Sequence, residues 1–250
     1  MNKTLVTLLF SSLLVSSLYA NSDEHSKHHS SWSYEGATAP EHWGSLDEKF
    51  SACSNGFNQS PINLTEFMDA DLPDIKFDYN LKATQILNNG HTIQVNVKGG
   101  SSIEVDNISF ELKQFHFHIP SENNIKGKSF PLEAHLVHAS ADGKLAVVAV
   151  MFEVGESNKV LEKLWKDIPQ NAGDSHEISF EDLDAILPKN RDYYRFNGSL
   201  TTPPCTEGVR WLVMKNSITL SAEQRDTFKK VMKIPNNRPI QDRNARVVID

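Results

Sequence analysis

Apolar residues in this chain gather in short runs separated by turn formers, and their spacing is more often that of strands than of helices. Runs at 83–88, 92–98, 107–119, 132–139, 145–153 and 209–215 are rich in β-branched and aromatic residues and are bounded by Gly, Asn or Pro, which predicts a strand for each. Asn89-Gly90, Gly99-Gly100 and Asp142-Gly143 mark turns. Helical spacing occurs twice. At 158–168 it would bury Leu161, Leu164, Trp165 and Ile168; a second helix follows Ser221, whose hydroxyl forms a capping box with Gln224. The pattern predicts a mainly β fold with a few short peripheral helices. Residues 32–250 contain neither an internal repeat nor a Pro/Ser-rich linker, so they read as a single domain.

The alternation is strict in two of these runs. In an extended strand Gln114, His116 and His118 face one way, and Phe115, Phe117 and Ile119 the other. The second run places Glu133, His135 and Val137 on one face and Ala134, Leu136 and His138 on the opposite one. If the two strands pair, His135 joins His116 and His118. Three neutral imidazoles without a fourth protein ligand suit a catalytic zinc ion, because the open tetrahedral position can hold water. Gln114 and Glu133 each precede a histidine by two residues on the same face, where they could orient its second ring nitrogen. A His-Phe-His strand alone is equally well read as an amphipathic strand with incidental histidines. The third His and the two polar partners in phase favour the metal. His138, on the opposite face, reads as a core residue.

Composition adds an address. Residues 1–20 begin with Lys3, continue through a Leu- and Ser-rich apolar stretch and end at Tyr19-Ala20, the pattern of a secretory signal peptide. The apolar part is shorter than the roughly 20 residues of a membrane span. Residues 21–31 are polar, carry His25, His28 and His29, and predict a flexible tail, with metal buffering as the alternative use of its imidazoles. No later segment is apolar enough to cross a bilayer. The formal net charge of -7, with no basic stripe, argues against a nucleic-acid partner. In an exported chain the two cysteines, Cys53 and Cys205, read by default as a disulfide stabilising the fold by roughly 4 to 5 kcal/mol, with two free thiols as the alternative.

Gln-Phe-His-Phe-His at 114–118, Glu-Ala-His-Leu-Val-His at 133–138 and Gly-Ser-Leu-Thr-Thr-Pro-Pro at 198–204 resemble motifs of the α-class carbonic anhydrases, and the resemblance runs from Trp32 to Val248. It implies a large twisted mixed sheet of about ten strands. It also implies zinc-dependent, reversible hydration of carbon dioxide to bicarbonate and a proton, by attack of zinc-bound hydroxide. On this resemblance His116, His118 and His135 are the zinc ligands. Thr201 takes the hydroxide's hydrogen bond and donates its own to ionised Glu122. Val137, Val147, Leu200, Thr202 and Trp211 line the substrate pocket. His91 is the proton shuttle, and Tyr34, Asn89 and Gln94 line the water path, with Gln94 standing where Asn is common.

One departure is Asn123, where the family usually has His; a structural hydrogen bond there is either replaced or lost. The resemblance further implies cis bonds at Ser60-Pro61 and Pro203-Pro204 and a periplasmic or extracellular location. Bacterial relatives are often dimers, so it admits a homodimer. Read without it, Thr201 is a turn residue, Glu122 a solvated carboxylate, His91 a surface histidine and the apolar residues plain core. The competing reading is an inactive binding protein built on the same fold, a kind that typically lacks a zinc histidine.

Overall fold

The computed structural model describes residues 31–80, 82–181 and 183–250. The expected signal peptide and the tail histidines lie outside the described residues. The strands that build the site are β1 (Lys82–Asn88), β2 (Ile93–Lys98), β3 (Ile108–His118), β4 (Leu132–Ala139), β5 (Leu145–Val154), β6 (Tyr193–Ser199) and β7 (Glu207–Met214). They belong to a 13-stranded mixed sheet, in which β1 to β5 are successive neighbours, followed by β7 and then β6. Pairing is antiparallel from β1 through β5 and between β6 and β7, but parallel between β5 and β7. A parallel pair needs a long crossover, and the chain between β5 and β7 supplies it with a short helix, α1 (Lys159–Trp165), and β6.

Alternation along the strands sorts side chains into two layers. Phe115, Phe117, Ala134, Leu136, Val148, Val150 and Leu212 join one buried cluster. Leu161, Leu164 and Trp165 of α1 and Phe228 of α2 (Ala222–Met232) belong to the same cluster. Complete burial of each such large apolar side chain is worth about 1.5 to 3 kcal/mol, which is why these short helices stay docked. Val147, Ala149, Met151, Phe196, Trp211 and Val213 form a second cluster. Gln94, Asn96, Gln114 and His116 on β2 and β3 are only half-buried.

Several expectations shift at their edges. The strand expected to start at residue 107 starts at Ile108, because Asp106 and Asn107 both adopt left-handed backbone (φ 55° and 59°) as a tight turn. Asn158 lies outside α1 as its cap, its Oδ1 accepting from the N–H groups of Val160 and Leu161, and Ile168 is buried beyond the helix end. The capping box at Ser221 forms, and Gln224 Oε1 also accepts from the Asn158 N–H, tying the start of α1 to that of α2. Ser60-Pro61 and Pro203-Pro204 are cis, and so is Ile119-Pro120, which the sequence reading did not anticipate. Cys53 and Cys205 are bonded across a separation of 152 residues and pack with Trp43, Trp32 and Tyr34 in a third, small cluster. Among the described residues no helix is long and apolar enough to cross a membrane.

Candidate metal centre and its mouth

The register of β3 and β4 pairs His116 with His135 and His118 with Glu133. One nitrogen from each of His116, His118 and His135 lies within 4.8 Å of the others. Their partners decide which nitrogens are free. Gln114 Oε1 lies 2.8 Å from His116 Nδ1; an amide oxygen only accepts, so Nδ1 holds the proton and Nε2 keeps its lone pair. The Asn236 carbonyl does the same to His118 at 2.7 Å, and His118 Nε2 is buried with no hydrogen-bond partner. His135 is turned the other way. Its Nε2 lies 2.9 Å from Glu133 Oε1, close enough to steer the ring though not in hydrogen-bond alignment. Its Nδ1 and His118 Nε2 both approach Glu122 Oε2, at 3.8 and 3.5 Å.

Electrostatics keep these rings neutral. Burial, and then mutual repulsion, hold His116 and His135 well below the ordinary histidine range. His118 is also lowered by burial, an effect partly offset by the Asn236 carbonyl and the Glu133 charge. Neutral imidazole is the form that binds a metal ion. Three converging nitrogens, one of them a buried orphan, fit a tetrahedral cation with one open position.

Glu133 is fully buried and accepts from the backbone N–H groups of Glu122 and Asn123 at 2.7 and 2.9 Å, and from Asn123 Nδ2 at 2.8 Å. The hydrogen bond in doubt at Asn123 is therefore replaced, not lost. Burial raises the Glu122 carboxyl well above the ordinary carboxylate range, while the Arg238 N–H, at 2.8 Å from Oε1, and the Thr201 side chain pull it back.

Beyond the histidine-bearing strands the same sheet continues as an apolar wall. Val147 is in register with Val137 on one side and Trp211 on the other, and Leu200 packs against the same cluster. The Trp211 ring meets His135 edge-on at 4.9 Å, and its Nε1 donates to the Ser199 carbonyl at 3.0 Å. The loop beyond β6 carries Thr201, which is buried, and Thr202, which is half-buried. It closes with Leu200 N–H to the Thr206 carbonyl and Cys205 N–H to the Thr202 carbonyl, both 2.9 Å, and the disulfide anchors it.

The mouth is built differently. His91 follows a turn in which Asn89 Oδ1 accepts from the N–H groups of His91 and Thr92, at 2.9 Å each. The His91 ring stacks on Trp32 with centroids 3.7 Å apart and planes 9° from parallel, and burial lowers its pKa below the ordinary 6.5. Gln94 is in register with His116, and Asn89 Nδ2 donates to its Oε1 at 3.3 Å. Tyr34 contacts Trp32 and Trp43, and its hydroxyl pKa is raised by burial and by the nearby Glu122 charge. His138 is a core residue; its Nε2 lies 2.8 Å from the Tyr79 hydroxyl.

Three important residues escaped the sequence reading. Asn236 is wholly buried: besides holding His118, its Oδ1 accepts from Ile119 N–H, and its Nδ2 donates to the carbonyls of His91 and Phe117. Arg238 donates to Gln59 Oε1 and to the carbonyls of Ser60 and Cys53, besides reaching Glu122 through its backbone N–H. Both lie in Pro235-Asn236-Asn237-Arg238-Pro239, whose only signal is a polar stretch between prolines with no period to read. Trp32 gives no signal for its stacking partner.

The model of the eukaryotic-type carbonic anhydrase family matches residues 38–250. A carbonic anhydrase of Pectobacterium atrosepticum is 46% identical over 238 residues, covering 95% of this chain and 96% of that protein. The structure of the α-carbonic anhydrase of Thermovibrio ammonificans, solved with the inhibitor sulfanilamide, superposes with a TM-score of 0.87 at 46% identity, covering 88% of this chain and 99% of that one. Dioscorin DB3S of Dioscorea polystachya, which bears a different name, is 37% identical over 96% of this chain and 92% of its own length. With that extent of identity and a fold that coincides, the chain belongs to the α-class carbonic anhydrase family.

Proposed function

We propose that this protein catalyses the reversible hydration of carbon dioxide to bicarbonate and a proton, with zinc held by His116, His118 and His135. The observation that carries the reading is the set of three neutral imidazoles, His118 and His135 buried and His116 half-buried, whose free nitrogens converge, with His116 and His118 fixed in tautomer by Gln114 and Asn236. Bound zinc would supply a Lewis acid that makes a water molecule nucleophilic near neutral pH. Thr201 accepts the hydrogen bond of that attacking water and passes one on to Glu122, so a lone pair faces the substrate. The Glu122 carboxylate acts as the terminal acceptor, and a cation beside it would favour its ionised form. Val137, Val147, Leu200 and Trp211 offer a dry surface on which linear, apolar carbon dioxide rests, with Thr202 at its edge. A carbon–oxygen bond forms, bicarbonate leaves and one proton remains. His91 takes that proton through water along Tyr34, Asn89 and Gln94 and releases it to buffer.

The alternative, a binding protein on the same fold, is less well supported because such proteins typically lack a zinc histidine, whereas this sequence keeps His116, His118 and His135 together with Thr201 and Glu122. The disulfide supports the further proposal that residues 1–20 direct export to the periplasm or beyond. Stopped-flow measurement of carbon dioxide hydration, before and after zinc removal and restoration, tests the central reading. Fast hydration lost with zinc and regained with it is the expected result. No rate above buffer from folded, zinc-loaded protein would sink it in favour of the binding protein.

A further inference from the structure

A line of side-chain amides crosses the polar half of the site face. Asn89 Nδ2 donates to Gln94 Oε1, Gln94 Nε2 donates to Asn96 Oδ1 at 2.7 Å, and Asn96 Nδ2 donates to Gln85 Oε1 at 2.8 Å. A longer contact, 3.5 Å, carries the line from Gln85 Nε2 to Ser175 Oγ. Every amide donates away from His91. The direction has a cause: Asn89 Oδ1 is already occupied by the backbone N–H groups of His91 and Thr92, so its Nδ2 must point outward. That sets the Gln94 oxygen toward Asn89 and its nitrogen toward Asn96, and so on down the line. Gln94 and Asn96 are register partners of His116 and Gln114, so the line runs beside the metal-binding strand.

We infer that Asn96 is a positioning residue for proton transfer: it locks the Gln94 amide in one orientation and thereby fixes the donors and acceptors that water meets between the imidazole cluster and His91. Gln has one more rotatable bond than Asn and would otherwise sample several rotamers. With Oε1 and Nε2 both held, one Nε2 proton and one Oε1 lone pair remain for water. The Asn96 side chain bonds to Gln94 and Gln85 and reaches the imidazole cluster only through Gln94. Gln85, one link further out, holds Asn96 and matters less.

The inference rests on the proposed hydration activity, and the test separates the two. Asn96→Leu, similar in size but unable to hydrogen bond, is compared with Gln85→Leu and the native protein. Expected for Asn96→Leu is a roughly fivefold fall in kcat at low buffer concentration, the scale of one lost hydrogen bond, with kcat/KM unchanged and kcat restored by added imidazole. Gln85→Leu should change kcat by less than about twofold. A readout independent of metal is the exchange rate of the Gln94 side-chain amide protons with water, measured by NMR on zinc-free protein. The Nε2 proton donated to Asn96 Oδ1 should exchange slowly in the native chain and in Gln85→Leu, and as fast as its water-facing twin in Asn96→Leu. Unaltered kcat and exchange in Asn96→Leu, or a parallel loss of kcat and kcat/KM that imidazole does not rescue, would overturn the positioning role. A native protein with slow amide exchange but no hydration would instead overturn the proposed function.

Discussion

The imidazole cluster and the mouth of the site are held by different means. His116, His118 and His135 sit on paired strands, with a partner at each ring, and their positions follow from the register of β3 and β4. His91 and Tyr34 sit on non-strand segments, held by a stack on Trp32, aromatic edges and the Cys53–Cys205 bridge. The difference follows the chemistry proposed for each. A metal centre needs ligands that do not move and stay neutral, which a buried sheet provides. A proton shuttle must reach water and change charge, so it belongs on a half-exposed turn.

The strongest way to break the comparison is His135→Ala. Losing a direct ligand costs more than the 10- to 100-fold attached to an outer partner, so zinc affinity and hydration should fall by more than about a thousandfold, read by metal analysis and stopped flow. Next is the pair Cys53→Ala and Cys205→Ala, which should lower stability by about 4 to 5 kcal/mol in chemical denaturation. Amide exchange should rise first around Thr201 and Trp32, with β3 and β4 staying protected; uniform loss would mean the mouth is not a separate unit.

His91→Ala should reduce kcat at low buffer by roughly a hundredfold, the low end for a positioned acid–base group, and leave kcat/KM unchanged. Only neutral His91 can accept a proton. Because burial lowers its pKa, the ring should stay neutral as pH falls through 6.5 and titrate below it by NMR. Trp32→Ala, by exposing the ring, should move that midpoint back up. The smallest effect is expected at Asn123→Ala, which removes the side-chain donor to Glu133 and the acceptor of Ile62 N–H. Both groups are buried, so the cost should be about 1 to 3 kcal/mol of stability with activity nearly retained.

Asn123 also shows where reading a sequence stops. Its departure from the family pattern was visible, yet whether it still served Glu133 depended on where its amide pointed. Thr201, Glu122 and the wall residues were marked by motif alone. The structure makes one surface of Val137, Val147 and Trp211 through two strand registers, one antiparallel and one parallel. Their individual side chains would read as ordinary core anywhere else.

What the sequence determined by itself is what repeats locally. A period of two put Gln114, His116 and His118 on one face and Glu133 and His135 on another, and Ser221 with Gln224 announced a helix start, because neighbours a few residues apart settle these features. What only the tertiary structure decided joins positions far apart: the Asn236 carbonyl on His118, the Arg238 N–H on Glu122, Trp32 on His91, and the amide line from Asn89 to Gln85. Such contacts leave no period in the chain. They exist because buried polar groups must find partners wherever folding brings one within reach.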